Sequence, residues 1–443
     1  MAEKSVNASS SSSCWVVEME KMLEHTGSSV ERERWSKPSI YRVPNWLKSM
    51  TKQSEAYQPR LVSLGPFHHG KPDLHPMEEH KQRAVLHIVK RSGKQLREFI
   101  AAIEEVVDEL LDAYHDLDDK WRGTNRGHFV EMMVTDGCFL LEMMKGLKDQ
   151  KAPDDYADND PVFSVHGMTY LWVGIRADMV VIENQLPLLA LYRLQAVWSG
   201  TASLSAKEIN KLVLDFMCDP LKDNKFREED IDYLCLHPLD VYHKSFCGLR
   251  PARQGSIKWE RTISSAVELK QAAGIHFEKS KTQSVHDIDF KNGVLRIPAV
   301  SIHDGTEKVF LNLMAFERLH PDIGSDATAY MIFMDNIIDS ERDVALLRSK
   351  GIIKNLLSSD KEAAELYNML SKGASLSPYN RLHDVRRKVN NHYAKTCNKW
   401  RAIFFHSYLR NPWAIISLVA AVILLVATLL QTVYTVGSFY KPG

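Results

Sequence analysis

The stretch Trp413 to Tyr434, WAIISLVAAVILLVATLLQTVY, contains no charged side chain and lies between Arg410 and Lys441. At a rise of 1.5 Å per residue these 22 residues form a helix of about 33 Å, enough to cross a hydrocarbon core of about 30 Å. Asn411-Pro412 provides an N-cap followed by a proline at the first helical position, where proline is tolerated. The sequence therefore predicts a transmembrane helix at residues 411–434.

Aromatic residues flank this predicted helix. Trp413, Tyr434 and Tyr440 fall where a spanning helix meets the two membrane interfaces, and tryptophan and tyrosine are enriched at that level. The alternative is a buried helix of a soluble protein, but such a helix seldom stays apolar on every face. We therefore assign these three residues to the membrane interface.

The segment 381–410 is strongly basic, with eight Lys and Arg residues against one acidic residue, Asp384. Directly before a membrane helix, such a segment is attracted to anionic lipid head groups by about 1 kcal/mol per basic residue. A solvated charged helix is the alternative interpretation. The candidate contacts with lipid head groups are Arg386, Arg387, Lys388, Lys395, Lys399, Arg401 and Arg410.

The composition of the 443 residues indicates a packed globular protein, with 44% hydrophobic residues. Lys plus Arg and Asp plus Glu both number 56, so no overall positive charge favours binding to nucleic acid. The six cysteines include no CxxC pair and suggest free thiols in a reducing compartment. The serine-rich N-terminus lacks a signal peptide. These features predict a cytosolic location for the bulk of the chain.

Hydrophobic periodicity predicts a mainly α fold. Apolar residues recur at three- and four-residue intervals from Met77 onward, whereas the period changes to two after Gly274. We predict a helical globular domain with a small antiparallel β-sheet insertion and one C-terminal transmembrane helix. The predicted divisions are a mostly disordered or weakly helical tail (1–35), the helical domain (36–380), the basic segment (381–410), the anchor (411–434) and a short tail (435–443).

Asn292-Gly293 lies between two stretches in which apolar residues occur at every second position. This pattern predicts a hairpin, because both residues tolerate the positive φ of a type I′ turn. The turn sets a register in which Phe290 faces Leu295, Asp289 faces Arg296 and Ile288 faces Ile297. The apolar pairs would then share one face of the sheet.

Glu183-Asn184-Gln185 interrupts an apolar run just before Pro187. If buried, each side chain must be hydrogen-bonded or cost about 1 to 3 kcal/mol, so we predict a structural polar network. The alternative role for Glu183 is that of a general acid or base. The neighbouring histidines His68-His69 suggest a metal site, but they lie in a proline-broken loop without helical ligand spacing, and we favour a structural role.

Several ordered blocks of sequence closely resemble the plant domain of unknown function 247 family: Ile40–Pro44, Tyr57–Pro59, Val62–Gly70, Met77-Glu78, Lys81, Asp136–Phe139, Glu183–Pro187, Ser265–Leu269, Phe333–Asn336 and Asn411–Ala414. The resemblance covers nearly everything after residue 38. It implies a land-plant protein with one carboxy-terminal membrane helix and no established biochemical activity. Some grass members resemble pollen-side determinants of self-incompatibility, which implies recognition more than catalysis.

No GxSxG, GxxxxGK[ST], GxGxxG, HExxH or CxxC motif occurs in the sequence. We therefore expect no catalytic residue, cofactor or metal of a common class, and predict a membrane-anchored protein that binds an unknown protein partner and membrane lipid. The alternative is an undescribed enzyme with a site near His68-His69 and Glu183. The basic segment before the anchor predicts a cytosolic N-terminal domain. We also expect post-translational insertion of the tail anchor.

Overall fold

The computed structural model describes residues 9–25, 31–32, 35–51, 53–149, 155–201, 204–218, 231–248, 263–282, 284–374, 382–395 and 412–439. The chain divides into two compact units. Unit 1 comprises residues 1–48, 53–219 and 230–242, and unit 2 comprises residues 49–52, 220–229 and 243–443. The sequence suggested one helical domain from 36 to 380, and the division falls within that range.

Helices dominate the described part of the chain, which confirms the predicted fold class. They are α1 (Ser9–His25), α2 (Asn45–Thr51), α3 (Pro76–Ser92), α4 (Leu96–Glu104), α5 (Val107–Asp112), α6 (Arg126–Asp149), α7 (Val165–Tyr170), α8 (Trp172–Met179), α9 (Leu188–Ser199), α10 (Ala206–Met217), α11 (Pro238–Cys247), α12 (Ala266–Ala273), α13 (Thr306–Leu319), α14 (Asp326–Ile337), α15 (Glu341–Ser349), α16 (Asp360–Leu370), α17 (Leu382–Ala394) and α18 (Pro412–Phe439).

Unit 1 is built around α6, which packs against α3, α4, α9 and α10. A helix surrounded by neighbours needs apolar side chains on more than one face. Its methionines Met132, Met133, Met143 and Met144 are all buried, so they fill the core. None of the four methionines is available at the surface.

Unit 2 contains the five strands that the structure describes: β1 (His276–Lys279), β2 (Asp289–Lys291), β3 (Val294–Ile297), β4 (Val300–Ile302) and β5 (Ile353–Asn355). The first three form one sheet in the order β1-β3-β2, and β4 and β5 form a second. Only β2 and β3 are antiparallel; β1 pairs parallel to β3, and β4 parallel to β5. Alternation of apolar and polar residues predicts a strand and its buried face. It does not specify whether the neighbouring strand runs parallel or antiparallel.

The predicted hairpin is present at β2–β3. Asp289 faces Arg296 and Phe290 faces Leu295, as predicted. The third predicted pair, Ile288 with Ile297, lies outside the ladder because β2 begins at Asp289. Ile288 and Ile297 are nevertheless both buried, so the face assigned to them is correct.

The turn residues of this hairpin have φ values of +53° at Asn292 and +80° at Gly293. An L-residue with a Cβ is disfavoured in the left-handed region by about 1 to 2 kcal/mol. We expect Gly293→Ala to lower the free energy of unfolding by about that amount in urea titration of the full chain. Asn292→Gly is the matched control and should change stability little, and equal losses in both variants would contradict the turn assignment.

Two predicted helices differ in detail. The run 96–114 divides into α4 and α5, with Glu105 and Val106 between them. At the N-terminus, α1 lies within the tail (1–35) predicted to be mostly disordered or weakly helical, and its described side chains, residues 15–23, are exposed. Periodicity marks the apolar face of a helix, but it does not determine where the helix ends.

Helix α18 extends beyond the predicted anchor, to Phe439. Within it, Val419–Val436 is long and apolar enough to cross a membrane, and none of these residues is buried against the rest of the protein. Large apolar side chains such as Leu424, Leu425 and Val433 are therefore exposed along the helix.

Candidate functional site

The most extensive buried polar cluster that we find in unit 1 lies between the proline-rich segment 40–70 and the turn that follows α8. Prolines at 44, 59 and 66 prevent a long helix in this segment, so many of its backbone N–H groups lack helical partners. Side chains from α6, α8 and the turn 180–187 accept hydrogen bonds from them. The non-helical parts of the segment are thus held in place by polar side chains.

Asp178, at the end of α8, accepts hydrogen bonds from three consecutive backbone N–H groups. The N···O distances are 2.9 Å from Arg60, 2.7 Å from Leu61 and 3.0 Å from Val62. The Asp178 side chain is buried. One carboxylate therefore replaces the backbone acceptors that a helix or strand would supply.

Asn184 continues this pairing along the same segment. Its Oδ1 accepts from the N–H of Leu64 at 2.8 Å, and its Nδ2 donates to the carbonyl oxygens of Val62 at 3.1 Å and Asp178 at 3.2 Å. Gln185 Oε1 accepts from the N–H of Leu239 at 2.9 Å. The two amides therefore connect stretches of chain that are distant in sequence.

Glu183 faces the start of the segment. Its Oε1 lies 2.7 Å from the N–H nitrogen of Val43 and 2.7 Å from Lys48 Nζ. Its Oε2 lies 3.5 Å from His68 Nε2, a contact longer than an ordinary hydrogen bond. Both Glu183 and His68 are buried. The structure thus brings together the two positions that the enzyme hypothesis names.

The protonation states follow from this packing. Burial raises the pKa of the Glu183 carboxyl, but contacts with His68 and Lys48 outweigh it, and the pKa lies below its ordinary value of 4.5. Burial lowers the pKa of His68 below 6.5, against the opposing effect of Glu183. A neutral imidazole therefore lies beside an ionised carboxylate, and Lys48 is the counter-ion.

A second group of charges lies at the other end of the segment. Lys81 Nζ donates to Asp136 Oδ1 at 2.7 Å, to Glu78 Oε1 at 2.7 Å and to Ser63 Oγ at 3.0 Å. Asp136 Oδ2 accepts from the N–H of Gly65 at 2.8 Å. Burial raises the pKa of Asp136, against the opposing effect of Lys81. All three protons of the Lys81 ammonium thus have acceptors.

Gly65 is required where the segment turns. Its φ is +74°, and a Cβ at this position would lie 2.6 Å from the Gln185 carbonyl oxygen and 2.6 Å from the Tyr114 hydroxyl oxygen. Tyr114 Oη donates to that same carbonyl at 3.0 Å. Only glycine allows the backbone to approach this closely.

The contacts of Glu183 are with a backbone N–H group, a lysine and a histidine. Among the described residues, the hydrogen bonds and ion pairs of His68 and Glu183 reach no serine, threonine or cysteine that would act as a nucleophile. His69 is exposed and packs edge to face on Trp121, with ring centroids 5.5 Å apart. The adjacent histidines therefore point in different directions.

The membrane residues that the sequence proposes lie elsewhere. Trp413 and Tyr434 are exposed on α18, and Tyr440 lies outside the described residues. Arg386, Arg387 and Lys388 lie on α17, and Lys395 follows it. The remaining three, Lys399, Arg401 and Arg410, also lie outside the described part of the chain.

The Glu183 network predicts a specific loss of stability. Glu183→Gln removes the charge that pairs with Lys48, so we expect the free energy of unfolding to fall by about 1 to 3 kcal/mol at pH 7. Because the folded-state pKa is depressed, this contribution exists above pH 4.5 and is lost as the pH falls through the folded-state pKa. Urea titrations at pH 7 and pH 4 measure both effects.

The exposed variant Glu104→Gln is the control and should match the unaltered protein at both values of pH. The structural account of Glu183 would fail if Glu183→Gln kept full stability and abolished a catalytic activity.

Comparison with known proteins gives relatives but no activity. A model of a family described as plant protein of unknown function, DUF247, matches residues 40–427. The UPF0481 protein At3g47200 of Arabidopsis thaliana is 28% identical over 431 residues, covering 90% of this chain and 86% of that protein. The putative UPF0481 protein At3g02645 of the same plant is 24% identical over 526 residues, covering 94% and 93%.

No solved structure matches the chain significantly. The family match includes parts of both compact units, extends into α18 as far as residue 427, and contains Asp136, Asp178 and Glu183. The buried polar cluster thus lies within the matched region, and the chain belongs to the plant DUF247 family of proteins of unknown function.

Proposed function

We propose that this protein is a single-pass membrane protein that holds its helical units at the cytosolic face and acts by binding another protein. The observation that carries the proposal is α18, whose apolar stretch Val419–Val436 is unburied throughout. An exposed apolar helix of this length is unfavourable in water and favourable in a bilayer. A membrane supplies the apolar surroundings that the helix needs.

The orientation rests on charge. Residues 381–410 carry eight basic residues and one acidic residue, whereas residues 435–443 carry only Lys441. Lys and Arg accumulate in the cytosolic segments next to membrane helices. This charge asymmetry supports a cytosolic location for the helices that precede α18. Cys138 and Cys218 are free thiols, consistent with a reducing compartment.

Partner binding is supported by a group of exposed apolar side chains in unit 1. Val165 and Tyr170 on α7 and Val173 on α8 are exposed by 67%, 69% and 63%. Neighbouring apolar residues at a surface mark interaction sites more often than isolated ones do. The buried polar cluster, by contrast, is occupied in holding the chain. Binding therefore has a candidate surface, whereas the contacts of His68 and Glu183 reach no nucleophile among the described residues.

The anchor is tested by charge insertion. We expect the unaltered chain to remain in the membrane pellet after extraction with alkaline carbonate. Leu424→Arg combined with Leu425→Arg should move it to the supernatant, since each arginine at a helix centre costs about 2.5 to 3.5 kcal/mol. The matched control, Leu424→Val with Leu425→Val, should stay in the pellet. Release of the unaltered chain into the supernatant by alkaline carbonate would contradict the assignment of α18 as a membrane anchor.

The binding surface is tested by proximity labelling in plant cells with the full chain. Tyr170→Lys combined with Val173→Lys should remove a discrete set of labelled proteins, while the exposed control Glu104→Lys should retain it. Identical labelling by both variants would show that this surface does not bind the partner.

Catalysis at His68 and Glu183 is the rival function, favoured by the 3.5 Å contact between them. Metal bound stoichiometrically by the full chain and lost in both His68→Ala and His69→Ala would support it. Metal retained in both variants would remove that support.

A further inference from the structure

Unit 2 contains a cluster of three potential metal ligands that the sequence motifs do not reveal. His243 and Cys247 are four residues apart on α11 and so lie on the same side of the helix. Glu317 reaches them from α13. One ligand atom from each residue lies within 4.8 Å of the others. Both His243 and Cys247 are buried.

The carboxylate of Glu317 is held in a fixed position. Its Oε1 accepts from the N–H of Ala327 at 2.7 Å, and its Oε2 accepts from the N–H of Thr328 at 2.8 Å and the hydroxyl of Thr328 at 2.6 Å. These donors lie in the first turn of α14. Hydrogen bonds of this kind orient a ligating carboxylate and are typical of metal sites.

Only one of the two ring nitrogens of His243 has a hydrogen-bond partner among the described residues. Its Nε2 lies 2.8 Å from Glu317 Oε1, but its buried Nδ1 has no hydrogen-bond partner among the described residues. Nε2 is therefore the ring nitrogen that faces the Glu317 carboxylate and is placed to bind a metal ion together with it.

We propose that His243, Cys247 and Glu317 bind a zinc ion. Imidazole nitrogen, cysteine sulfur and carboxylate oxygen are the ligands that zinc takes in proteins, whereas calcium and magnesium take oxygen ligands. Three protein ligands leave one of the four tetrahedral positions for a small external ligand. The site belongs to unit 2 and is independent of both the anchor and the Glu183 cluster.

The alternative account, a simple ion pair between His243 and Glu317, explains fewer features of this cluster than a zinc site does. It accounts for the 2.8 Å contact, but it gives no role to the buried thiol at position 247, which lies within 4.8 Å of both groups. Loading with zinc replaces the proton shared between the ring and the carboxylate and releases the thiol proton. Measurement of bound metal therefore distinguishes the two accounts.

The experiment uses the full chain in detergent, stripped with chelator, reloaded with zinc chloride and passed through a desalting column. We expect stoichiometric zinc by elemental analysis, and cobalt loading should produce a thiolate-to-metal charge-transfer band. Cys247→Ser should weaken zinc binding by at least roughly tenfold and abolish the band. Cys235→Ser, a buried cysteine outside the cluster, is the matched control and should retain both.

Zinc well below stoichiometry in the folded, unaltered chain would overturn the proposal. A charge-transfer band that survives Cys247→Ser would also overturn it. If Cys247→Ser does not fold, the cobalt spectrum of the unaltered chain decides, since absence of a thiolate band excludes the site. Glu317→Gln, which retains an acceptor for the first turn of α14, then measures the contribution of the carboxylate to zinc affinity.

Discussion

We expect Lys81→Met to lower the free energy of unfolding by about 3 to 5 kcal/mol. The Lys81 side chain is 0% exposed and lies 2.7 Å from both Asp136 Oδ1 and Glu78 Oε1. Methionine fills a similar volume but cannot neutralise two carboxylates. Urea denaturation of the full chain, followed by tryptophan fluorescence, measures the loss.

The pH dependence of this loss has a defined sign. Burial already raises the pKa of Asp136, and Lys81 is the main group that opposes the shift. Without Lys81 the pKa rises further, so the ionised form of Asp136 destabilises the fold more. A carboxyl group whose pKa is raised in the folded state stabilises the fold below its ordinary pKa. This stabilisation is lost as the pH rises through the folded-state pKa. The defect of Lys81→Met should therefore shrink on acidification.

A double variant provides the internal check. Lys81→Met combined with Asp136→Asn removes the buried negative charge and should recover part of the stability that Lys81→Met loses. Lys90→Met, on the exposed side of the same helix, is the matched control and should change stability by less than about 0.5 kcal/mol. A loss in Lys81→Met no larger than that of Lys90→Met would show that the buried charges do not hold this part of unit 1.

The second large effect is expected for Asp178→Ala, which should lower the free energy of unfolding by about 2 to 5 kcal/mol. The variant leaves the N–H groups of Arg60, Leu61 and Val62 without their shared acceptor. The segment around them should then detach more often, so limited proteolysis should cleave near residue 60 sooner.

Asp178→Asn keeps one acceptor oxygen and should fall between Asp178→Ala and the unaltered chain in both measurements. The exposed Asp158→Ala is the control for loss of an aspartate. The role assigned to Asp178 would be wrong if both alanine variants unfolded at the same urea concentration and were cleaved at the same rate.

Local sequence signals predicted the features that depend on neighbouring residues. The Asn292-Gly293 turn sets its own register because positive φ at both positions selects one turn type. Three polar residues in an apolar run, Glu183 to Gln185, similarly indicated a place where buried groups need partners. Burial and hydrogen bonding of these residues follow directly from the requirement that buried polar atoms be paired.

Features that depend on distant residues could not be predicted in this way. Lys81 and Asp136 lie 55 positions apart, and His243 and Glu317 lie 74 positions apart, so no local spacing reveals either pair. The parallel pairing of β1 with β3 also depends on the path of the chain between them. Sequence periodicity describes the faces of each element, whereas the tertiary fold decides which faces meet.

Protease protection of the membrane-inserted chain tests the central claim most directly. The chain carries one tag at Met1 and another at Gly443, and sealed vesicles with the cytosolic face outward are treated with protease. The account predicts that the tag at Met1 is removed, while a fragment containing α18 and the tag at Gly443 survives until detergent opens the vesicles. Protection of the tag at Met1, or loss of both tags from intact vesicles, would contradict it.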